Sequence, residues 1–350
     1  MQPPRTIGVI INPKAGKGFL ENAEIARLAA SQFPGAAILT GPGEMGAAAF
    51  AGRGDLEICA LEPVVGPNLT MALARSLAAR QVDLLLVVGG DGTMADVAFA
   101  LVDNQAARPT IGSSAVPIVG IGAGSTNAGP LITCREPDVG NLDISHLETV
   151  LLDAALVKYQ GAWLGIGFND CVLGFTVLGT LNGQVRDLDA QAKMKGIDLP
   201  AQPSSVGTPR TLIERISPAP FGTVEVGRGE WVSSVVIGFS SPAFFAKAIT
   251  GGICLASYRN IPAGCLVTGY PIVRIETTRA EVLASSPLRS QYISFDENMC
   301  IRVSGMRTGT AVCADGNPLK ILSPDDQVEF WVRPAAVRAV KSKHKDLFEK

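Results

Sequence analysis

The stretch that decides the fold is Leu84-Leu85-Leu86-Val87-Val88-Gly89-Gly90-Asp91-Gly92-Thr93. Its run of apolar residues predicts a buried strand, and the glycines that follow predict a tight loop. Apolar residues then recur at helical spacing as far as Ala98, and Thr93 is the predicted N-cap of that helix. A strand, a glycine-rich loop and a helix in this order are typical of phosphate-binding loops in α/β proteins.

Asp91 is the unusual residue of this loop, because a carboxylate repels a phosphate group. It therefore calls for a role, either as a base on a substrate hydroxyl or as a contact made through a metal ion. The alternative is an ordinary turn in which Asp91 only caps the helix. The loop pattern by itself leaves both interpretations open.

Composition and charge indicate a folded enzyme of two domains. The chain has 350 residues, of which 47% are hydrophobic and 18% are charged, and its net charge of −2 predicts no nucleic-acid partner. Seven scattered cysteines without a Cys-x-x-Cys pair predict reduced thiols in a cytoplasmic protein. No apolar segment reaches the length of a membrane span, so we expect no membrane partner. With only two histidines, acid–base work is expected to fall to carboxylates.

Two more strand-like runs of the first half end in loops of the same kind. Thr6–Ile11 leads into Asn12-Pro13-Lys14-Ala15-Gly16, and Val116–Ile121 leads into Gly122-Ala123-Gly124-Ser125-Thr126-Asn127. Strands alternate with helix-compatible segments throughout this half, which predicts parallel βαβ units. Because open α/β sheets bind ligands at the carboxyl ends of their strands, we expect the three loops to share one ligand site.

The pattern changes in the second half of the chain to short β-like runs. We therefore predict an α/β fold in which residues 1–140 form a doubly wound, mostly parallel sheet domain and residues 141–340 form a β-rich, β-sandwich-like domain. Apolar spacing over Asp143–Leu156 predicts a helix near the boundary. The polar, proline-containing segment Arg186–Arg210 is predicted to be an exposed excursion.

Gly89-Gly90-Asp91-Gly92-Thr93 after an apolar strand resembles the signature of the superfamily of NAD kinases, diacylglycerol kinases and sphingosine kinases. Asn12-Pro13-Lys14-Ala15-Gly16 resembles the first motif of the same superfamily. The third loop is similar to both branches in part: Ser125-Thr126-Asn127 approaches the Gly-Thr-x-Asn pattern of lipid kinases, and Gly120-Ile121-Gly122 approaches the corresponding loop of NAD kinases. The first half therefore supports the superfamily without selecting a branch.

Two markers of the second half resemble NAD kinases. Asn169-Asp170 is similar to their Asn-Glu or Asn-Asp pair, and a carboxylate can accept hydrogen bonds from both hydroxyls of a ribose. Asp315-Gly316 stands where these kinases carry Asp-Gly-Gln or Asp-Gly-Glu. Both dipeptides are also common turns, so a purely structural role stays open for each.

The segment Trp231–Gly252 resembles NAD kinases in layout and departs from them in chemistry. The family carries a Thr-Pro-Thr-Gly-Ser-Thr-Ala-Tyr loop here, whereas Phe244 and Phe245 replace its Ser-Thr portion and the tyrosine is missing. Aromatic rings at these positions could stack on a base or lie in the core.

The resemblance to NAD kinases implies that the γ-phosphoryl group of ATP, with Mg²⁺, is transferred to the 2′-hydroxyl of the adenosine ribose of NAD. Asp91 would then be the catalytic residue. The implied phosphate-binding residues are Asn12, Gly89, Gly90, Gly92, Thr93, Ser125, Thr126 and Asn127. The implied substrate-binding residues are Asn169, Asp170, Phe244, Phe245 and Asp315. No residue is assigned as a metal ligand, and the expected partners are small nucleotides and further copies of the chain in a homo-oligomer.

Two alternatives to an NAD kinase remain open. The first is a lipid kinase of the diacylglycerol or sphingosine type, suggested by Asn12-Pro13-Lys14-Ala15-Gly16 and Ser125-Thr126-Asn127. The second is a nucleotide-binding protein without turnover, suggested by the missing tyrosine.

Overall fold

The computed structural model describes residues 2–16, 18–61, 69–103, 116–124, 127, 129–181, 184–239, 261–271, 279–284 and 289–343. The chain divides into two compact units, Met1–Leu152 with Ala335–Lys350, and Asp153–Pro334. Two long strands, β7 (Leu147–Tyr159) and β20 (Gln327–Ser342), carry the chain from the first unit to the second and back.

The first unit is built on a parallel sheet. Its elements in chain order are β1 (Thr6–Ile11), α1 (Phe19–Ser31), β2 (Ala37–Thr40), β3 (Leu56–Ile58), α2 (Leu69–Ala79), β4 (Leu84–Gly89), α3 (Asp91–Asp103), β5 (Ile118–Gly122) and β6 (Ile132–Arg135), with single 3-10 turns at Gly43–Met45, Ala47–Phe50, Glu136–Asn141 and Ile144–His146. The strand order is β3-β2-β1-β4-β5, with β6 beside β5, and every one of these pairs is parallel. The predicted doubly wound, mostly parallel sheet is confirmed.

The centre of this sheet explains why the opening stretch is apolar throughout. All six residues of β4 are buried, as is expected for a strand covered on both faces. The strand order reverses between β1 and β4, because the chain adds β2 and β3 on one side and β5 on the other. This reversal is the point at which doubly wound sheets bind ligands, and the first two predicted loops follow these two strands.

The second unit is rich in antiparallel strands. Its elements are β8 (Ala162–Gly167), β9 (Asp170–Gly174), β10 (Thr176–Leu181), β11 (Gln184–Asp189), α4 (Ala190–Met194), β12 (Leu212–Ile216), β13 (Thr223–Arg228), β14 (Ser234–Phe239), β15 (Ala263–Thr268), α5 (Arg279–Ala284), β16 (Ser290–Phe295), β17 (Cys300–Ser304), β18 (Ala311–Ala314) and β19 (Asn317–Ile321). One sheet has the order β16-β15-β14-β9-β18-β19, and another contains β13-β12-β17-β20. Apolar side chains from both, such as Leu173 and Ile237 from the first and Ile301 and Phe330 from the second, form one core. The predicted β-rich domain is confirmed.

The predicted helix over Asp143–Leu156 is wrong, because most of this segment belongs to β7. The apolar residues fit a helical spacing, but β7 pairs with β20 and, from Ala155 onward, runs antiparallel to β8. Gln160 and Gly161 both have positive φ and form the tight turn between the two strands. Long-range pairing therefore overrides the local pattern here.

The segment Arg186–Arg210 is only partly the exposed excursion that the sequence predicts. Its first half contains the end of β11 and the short helix α4, and residues 194–200 are all exposed. Val206, in contrast, is fully buried in the core of the second unit. The excursion therefore ends several residues earlier than predicted.

No disulfide bond joins the cysteines of the described part, and all of them except the half-buried Cys134 are buried. Burial raises the pKa of Cys313 to about 12, so this thiol stays protonated. The helices within the described ranges are too short or too polar to cross a bilayer.

Candidate phosphate-binding site

The loop after β4 turns directly into a helix. β4 ends at Gly89 and α3 begins at Asp91, and the Met94 N–H already donates to the Gly90 carbonyl over 3.1 Å. The predicted N-cap at Thr93 is therefore wrong, because Thr93 and Gly92 lie inside the first helical turn. A carboxylate is favourable at the first position of a helix, where the backbone N–H groups carry partial positive charge. Those N–H groups are what an anion would contact.

Asn12 links the loop after β1 to this helix. Its Nδ2 donates to the buried Thr93 Oγ1 over 2.8 Å, while its Oδ1 accepts from the Lys14 N–H over 3.0 Å. Its backbone N–H donates to the Val88 carbonyl over 3.0 Å. Two of the residues predicted to bind phosphate are thus bonded to each other, and together they fix the first loop against the second.

Asn22 was missed by the sequence reasoning, although it organises the same loop. The residue is buried on α1, and its Nδ2 donates to the carbonyls of Asn12 at 3.0 Å and Ala15 at 2.9 Å. The available signal was an asparagine on the apolar face of the helix, in line with Ile25 and Ala26. A buried amide needs polar partners, so that position predicts a structural contact.

The third loop touches the other two through glycines. A Cβ added to Gly16, which has φ of +56°, would lie 1.8 Å from the Ala123 carbonyl oxygen. A Cβ added to Gly124 would lie 2.7 Å from the Gly90 Cα. The Ala123 N–H also donates to the Gly89 carbonyl over 2.9 Å. The loops after β1, β4 and β5 are therefore in direct backbone contact, which larger residues would prevent.

The third loop also orients Asp91. The Asp91 Oδ1 accepts a hydrogen bond from the Gly129 N–H over 2.9 Å, and a Cβ on Gly129 would lie only 2.8 Å from the same oxygen. Asp91 begins its helix and at the same time reaches a backbone group 38 residues further along the chain. Asp91 therefore does more than cap its own helix.

Asn127 has its side chain engaged within its own loop. The residue has φ of +49°, its Oδ1 accepts from the Gly124 N–H over 2.9 Å, and its Nδ2 donates to the Gly124 carbonyl over 2.6 Å. Its predicted phosphate contact would compete with both bonds. Ser125 and Thr126, also predicted to bind phosphate, lie outside the described residues.

In the second unit, Asp315 organises the Asn169–Asp170 turn. Its carboxylate accepts hydrogen bonds from three consecutive N–H groups, those of Phe168 at 2.7 Å, Asn169 at 2.7 Å and Asp170 at 3.2 Å. Asp315 and Gly316 both have positive φ and form the hairpin turn between β18 and β19. The structure thus brings three predicted substrate-binding residues together, with Asp315 as their anchor.

Two electrostatic features mark this turn. Burial raises the pKa of the Cys171 thiol well above its usual value, and the charges of Asp315 and Asp170 raise it further, so the thiol remains neutral. The Asn169 Oδ1 is buried and accepts no hydrogen bond from the residues that the structure describes. Such an oxygen is a natural acceptor for a donor group on a ligand.

Phe244 and Phe245, the remaining predicted substrate-binding residues, lie outside the described residues. The part of the chain that is described contains no cluster of three or more histidine, cysteine or acidic side chains that could hold a metal ion.

Comparison with known proteins agrees with this geometry. Residues 6–133 match the model of the diacylglycerol kinase catalytic domain. An uncharacterized protein of Archaeoglobus fulgidus is 27% identical over 260 residues, which are 74% of each chain.

Solved structures share the fold at low sequence identity. A candidate diacylglycerol kinase of Bacillus anthracis strain Sterne matches with a TM-score of 0.54 at 14% identity, covering 99% of this chain and 100% of that one. A second diacylglycerol kinase structure from the same strain gives 0.51 at 15% identity, with the same coverage. The resemblance to this kinase superfamily that the sequence predicts is confirmed by the match of residues 6–133 to the diacylglycerol kinase catalytic domain.

Proposed function

We propose that the chain is an ATP-dependent kinase that phosphorylates a hydroxyl group of a nucleotide, with the ribose 2′-hydroxyl of NAD as the first acceptor. The observation that carries this proposal is the direct contact of three glycine-rich loops around Asp91, at the point where the strand order reverses. The family match over residues 6–133 supports phosphoryl transfer as the chemistry.

The loops suit phosphoryl transfer because this reaction depends on alignment and charge neutralisation. Gly89, Gly90 and Gly92 have no side chain to keep a phosphate away from the backbone N–H groups at the start of α3. In our proposal Asn12 and Thr93 hold these loops in register through their mutual hydrogen bond. The phosphates would be bound mainly by backbone groups.

Mg²⁺ fits this arrangement as a partner of the nucleotide. It is commonly held by one or two carboxylates together with substrate phosphates, so it needs no cluster of protein ligands. Asp91 is the carboxylate at these loops that could contact it. When bound, the ion would neutralise the charge of the phosphates.

Asp91 is the proposed base for the acceptor hydroxyl. Its Oδ1 is held by the Gly129 N–H, which fixes the plane of the carboxylate before any substrate arrives. A preoriented base within reach of a hydroxyl contributes about 10²–10⁴-fold to a rate.

The turn at Asn169 and Asp170 supports a nucleotide as acceptor. Asp315 fixes its backbone, and the unpaired Asn169 Oδ1 could accept from a hydroxyl or an amino group. Asp170 would accept from the ribose diol. We infer that both residues act in acceptor binding, so their loss would raise the KM for NAD more than the KM for ATP.

A lipid acceptor is the second candidate. It is favoured by the match of residues 6–133 to the diacylglycerol kinase model and by Ser125-Thr126-Asn127. A diacylglycerol would offer a primary hydroxyl to the same base. The two acceptors differ in what the second unit would have to bind.

One experiment separates these candidates. The purified chain is incubated with ATP, Mg²⁺ and either NAD or diacylglycerol in mixed micelles, and NADP and phosphatidate are quantified. We expect NADP, about 10²-fold less of it with Asp91→Asn, and little change with Glu24→Gln, which alters an exposed carboxylate of α1. Phosphatidate without NADP would assign the lipid acceptor, and ATP binding without either product would indicate a binding protein without turnover.

A further inference from the structure

Lys341 is a partly buried lysine near the end of β20, in the part of this strand that belongs to the first unit. Its Nζ donates a hydrogen bond to the Ile132 carbonyl over 2.6 Å. Burial lowers the pKa of this ammonium group to about 8, and within the described ranges no carboxylate forms an ion pair with it. The hydrogen bond to Ile132 is therefore the contact that holds this side chain in place.

The Ile132 carbonyl belongs to a turn that leads to Asp91. The Ile132 N–H donates to the Gly129 carbonyl over 3.1 Å, which closes a four-residue turn at residues 129–132. At the start of this turn, the Gly129 N–H donates to the Asp91 Oδ1 over 2.9 Å. One end of the turn thus contacts Lys341, and the other end contacts the proposed base.

The residue before Lys341 on β20 holds the same segment. The Val340 carbonyl accepts from the Thr133 Oγ1 over 2.7 Å, and this hydroxyl also accepts from the Gly120 N–H over 3.1 Å. A Cβ added to Gly120 would lie 2.2 Å from the Leu131 carbonyl oxygen, so the turn lies directly on the backbone of β5. Two adjacent residues of β20 therefore fix the turn, one through its backbone and one through its side chain.

A lysine is an unfavourable choice for this contact on grounds of stability alone. A partly buried ammonium group loses hydration, so the folded chain is less stable while Lys341 is charged. An apolar side chain of similar length, such as that of methionine, would fill the same space without this loss. Residues that lower stability recur where function requires them. The position therefore indicates a functional use of the lysine donor.

We propose that Lys341 is a positioning residue for the phosphoryl transfer: it holds the turn at residues 129–132, so that the Gly129 N–H keeps the Asp91 carboxylate in one orientation. The proposal rests on the proposed function, in which Asp91 is the base for the acceptor hydroxyl. A base must be aligned with that hydroxyl in the transition state, and a small misplacement lowers the rate. Loss of the Lys341 donor should therefore lower kcat and leave the KM values unchanged.

The first test compares Lys341→Met with Lys343→Met in the full chain. The side chain of Lys343, two residues further along, forms no hydrogen bond or ion pair with the described residues. With ATP, Mg²⁺ and whichever of NAD and diacylglycerol gives product, we expect Lys341→Met to lower kcat about tenfold and to keep the KM for ATP within about twofold of the wild type. We expect no change for Lys343→Met, and no further loss when Lys341→Met is added to Asp91→Asn.

The second test is hydrogen exchange of the Gly129 amide, followed by NMR, which needs no acceptor substrate. We expect this amide to exchange at least about tenfold faster in Lys341→Met than in the wild type or in Lys343→Met. Because the buried charge is removed, Lys341→Met should nevertheless unfold at a higher urea concentration at neutral pH. A more stable variant with a less protected Gly129 amide and a lower kcat separates positioning from a general loss of folding.

Three results would overturn the proposal. The first is wild-type kcat with wild-type exchange of the Gly129 amide in Lys341→Met. The second is a loss of kcat in parallel with a loss of stability, which would make Lys341 a structural residue only. The third is an additive loss in the double variant, which would show that Lys341 does not act through Asp91. If the wild type forms neither product, the proposed function fails, and the exchange of the Gly129 amide still decides whether Lys341 holds the turn.

Discussion

Replacement of Asp315 by alanine tests the anchoring role of this residue in the Asn169–Asp170 turn. The substitution removes the acceptor of three consecutive N–H groups, two of them at 2.7 Å and one at 3.2 Å. It also places alanine at φ of +47°, where aspartate is better tolerated.

The expected loss can be estimated from these contacts. Each short bond to a charged acceptor contributes about 2 kcal/mol, the longer one contributes about 1 kcal/mol, and the left-handed backbone adds about 1 kcal/mol. Water can reach this half-buried turn and recover part of the sum, so we expect Asp315→Ala to lower the free energy of opening by about 3–4 kcal/mol. Asparagine keeps one acceptor oxygen and tolerates positive φ, so the loss for Asp315→Asn should be about half of the loss for Asp315→Ala.

Hydrogen exchange of the amides of residues 168–170, read by mass spectrometry, measures this effect directly. A loss of about 3 kcal/mol corresponds to roughly 100-fold faster exchange. The control is Asp296→Ala, which removes the acceptor of a single N–H, that of Asn298 at 2.9 Å, and should leave these amides unchanged. Exchange of residues 168–170 within threefold of the wild type in Asp315→Ala would refute the anchoring role.

Further predictions concern the first unit. Gly16→Ala drives a Cβ against the Ala123 carbonyl and should raise the KM for ATP at least about tenfold, whereas Gly35→Ala, also at positive φ but with open space around it, should leave that KM unchanged. Thr93→Val removes the hydroxyl that accepts from Asn12 and links the first two loops, so it should lower the free energy of unfolding in urea by about 1–2 kcal/mol. A loss of less than half of that would show that the bond is dispensable. Burial lowers the pKa of Lys341 from 10.5 to about 8, so between these values the unfolded chain binds more protons and the free energy of unfolding rises with pH. Lys341→Met should therefore gain about 3 kcal/mol of stability relative to the wild type below pH 8, and this gain should vanish near pH 10.5; parallel pH profiles would contradict this.

The sequence is most informative about the parallel sheet. β4 is a continuous apolar run because it is buried on both faces, and the glycines after it indicate that backbones approach closely there. The three loops could therefore be identified before their contacts were known. Their contact partners could not, because the bond between Asp91 and Gly129 joins groups 38 residues apart.

The errors arise where local pattern and tertiary context compete. β7 has a helical spacing of apolar residues, yet it is a strand that pairs with β20 and, next to the turn at Gln160 and Gly161, with β8. Thr93 has the chemistry of an N-cap, but its hydroxyl serves Asn12 and the helix starts two residues earlier. In both cases the conformation depends on a contact with residues outside the segment, which the local pattern does not contain.

The first unit is discontinuous in the sequence, because Ala339 of β20 pairs with Ile118 of β5 and the Val340 carbonyl accepts from the Thr133 hydroxyl over 2.7 Å. Translation proceeds from the amino end, so the ribosome delivers the whole second unit before the strand that completes the first. The first unit, which carries the three glycine-rich loops, is then completed only after the second unit has been synthesised. A nascent chain arrested before residue 335 would therefore lack the pairing of Ala339 with Ile118 and the acceptor of the Thr133 hydroxyl.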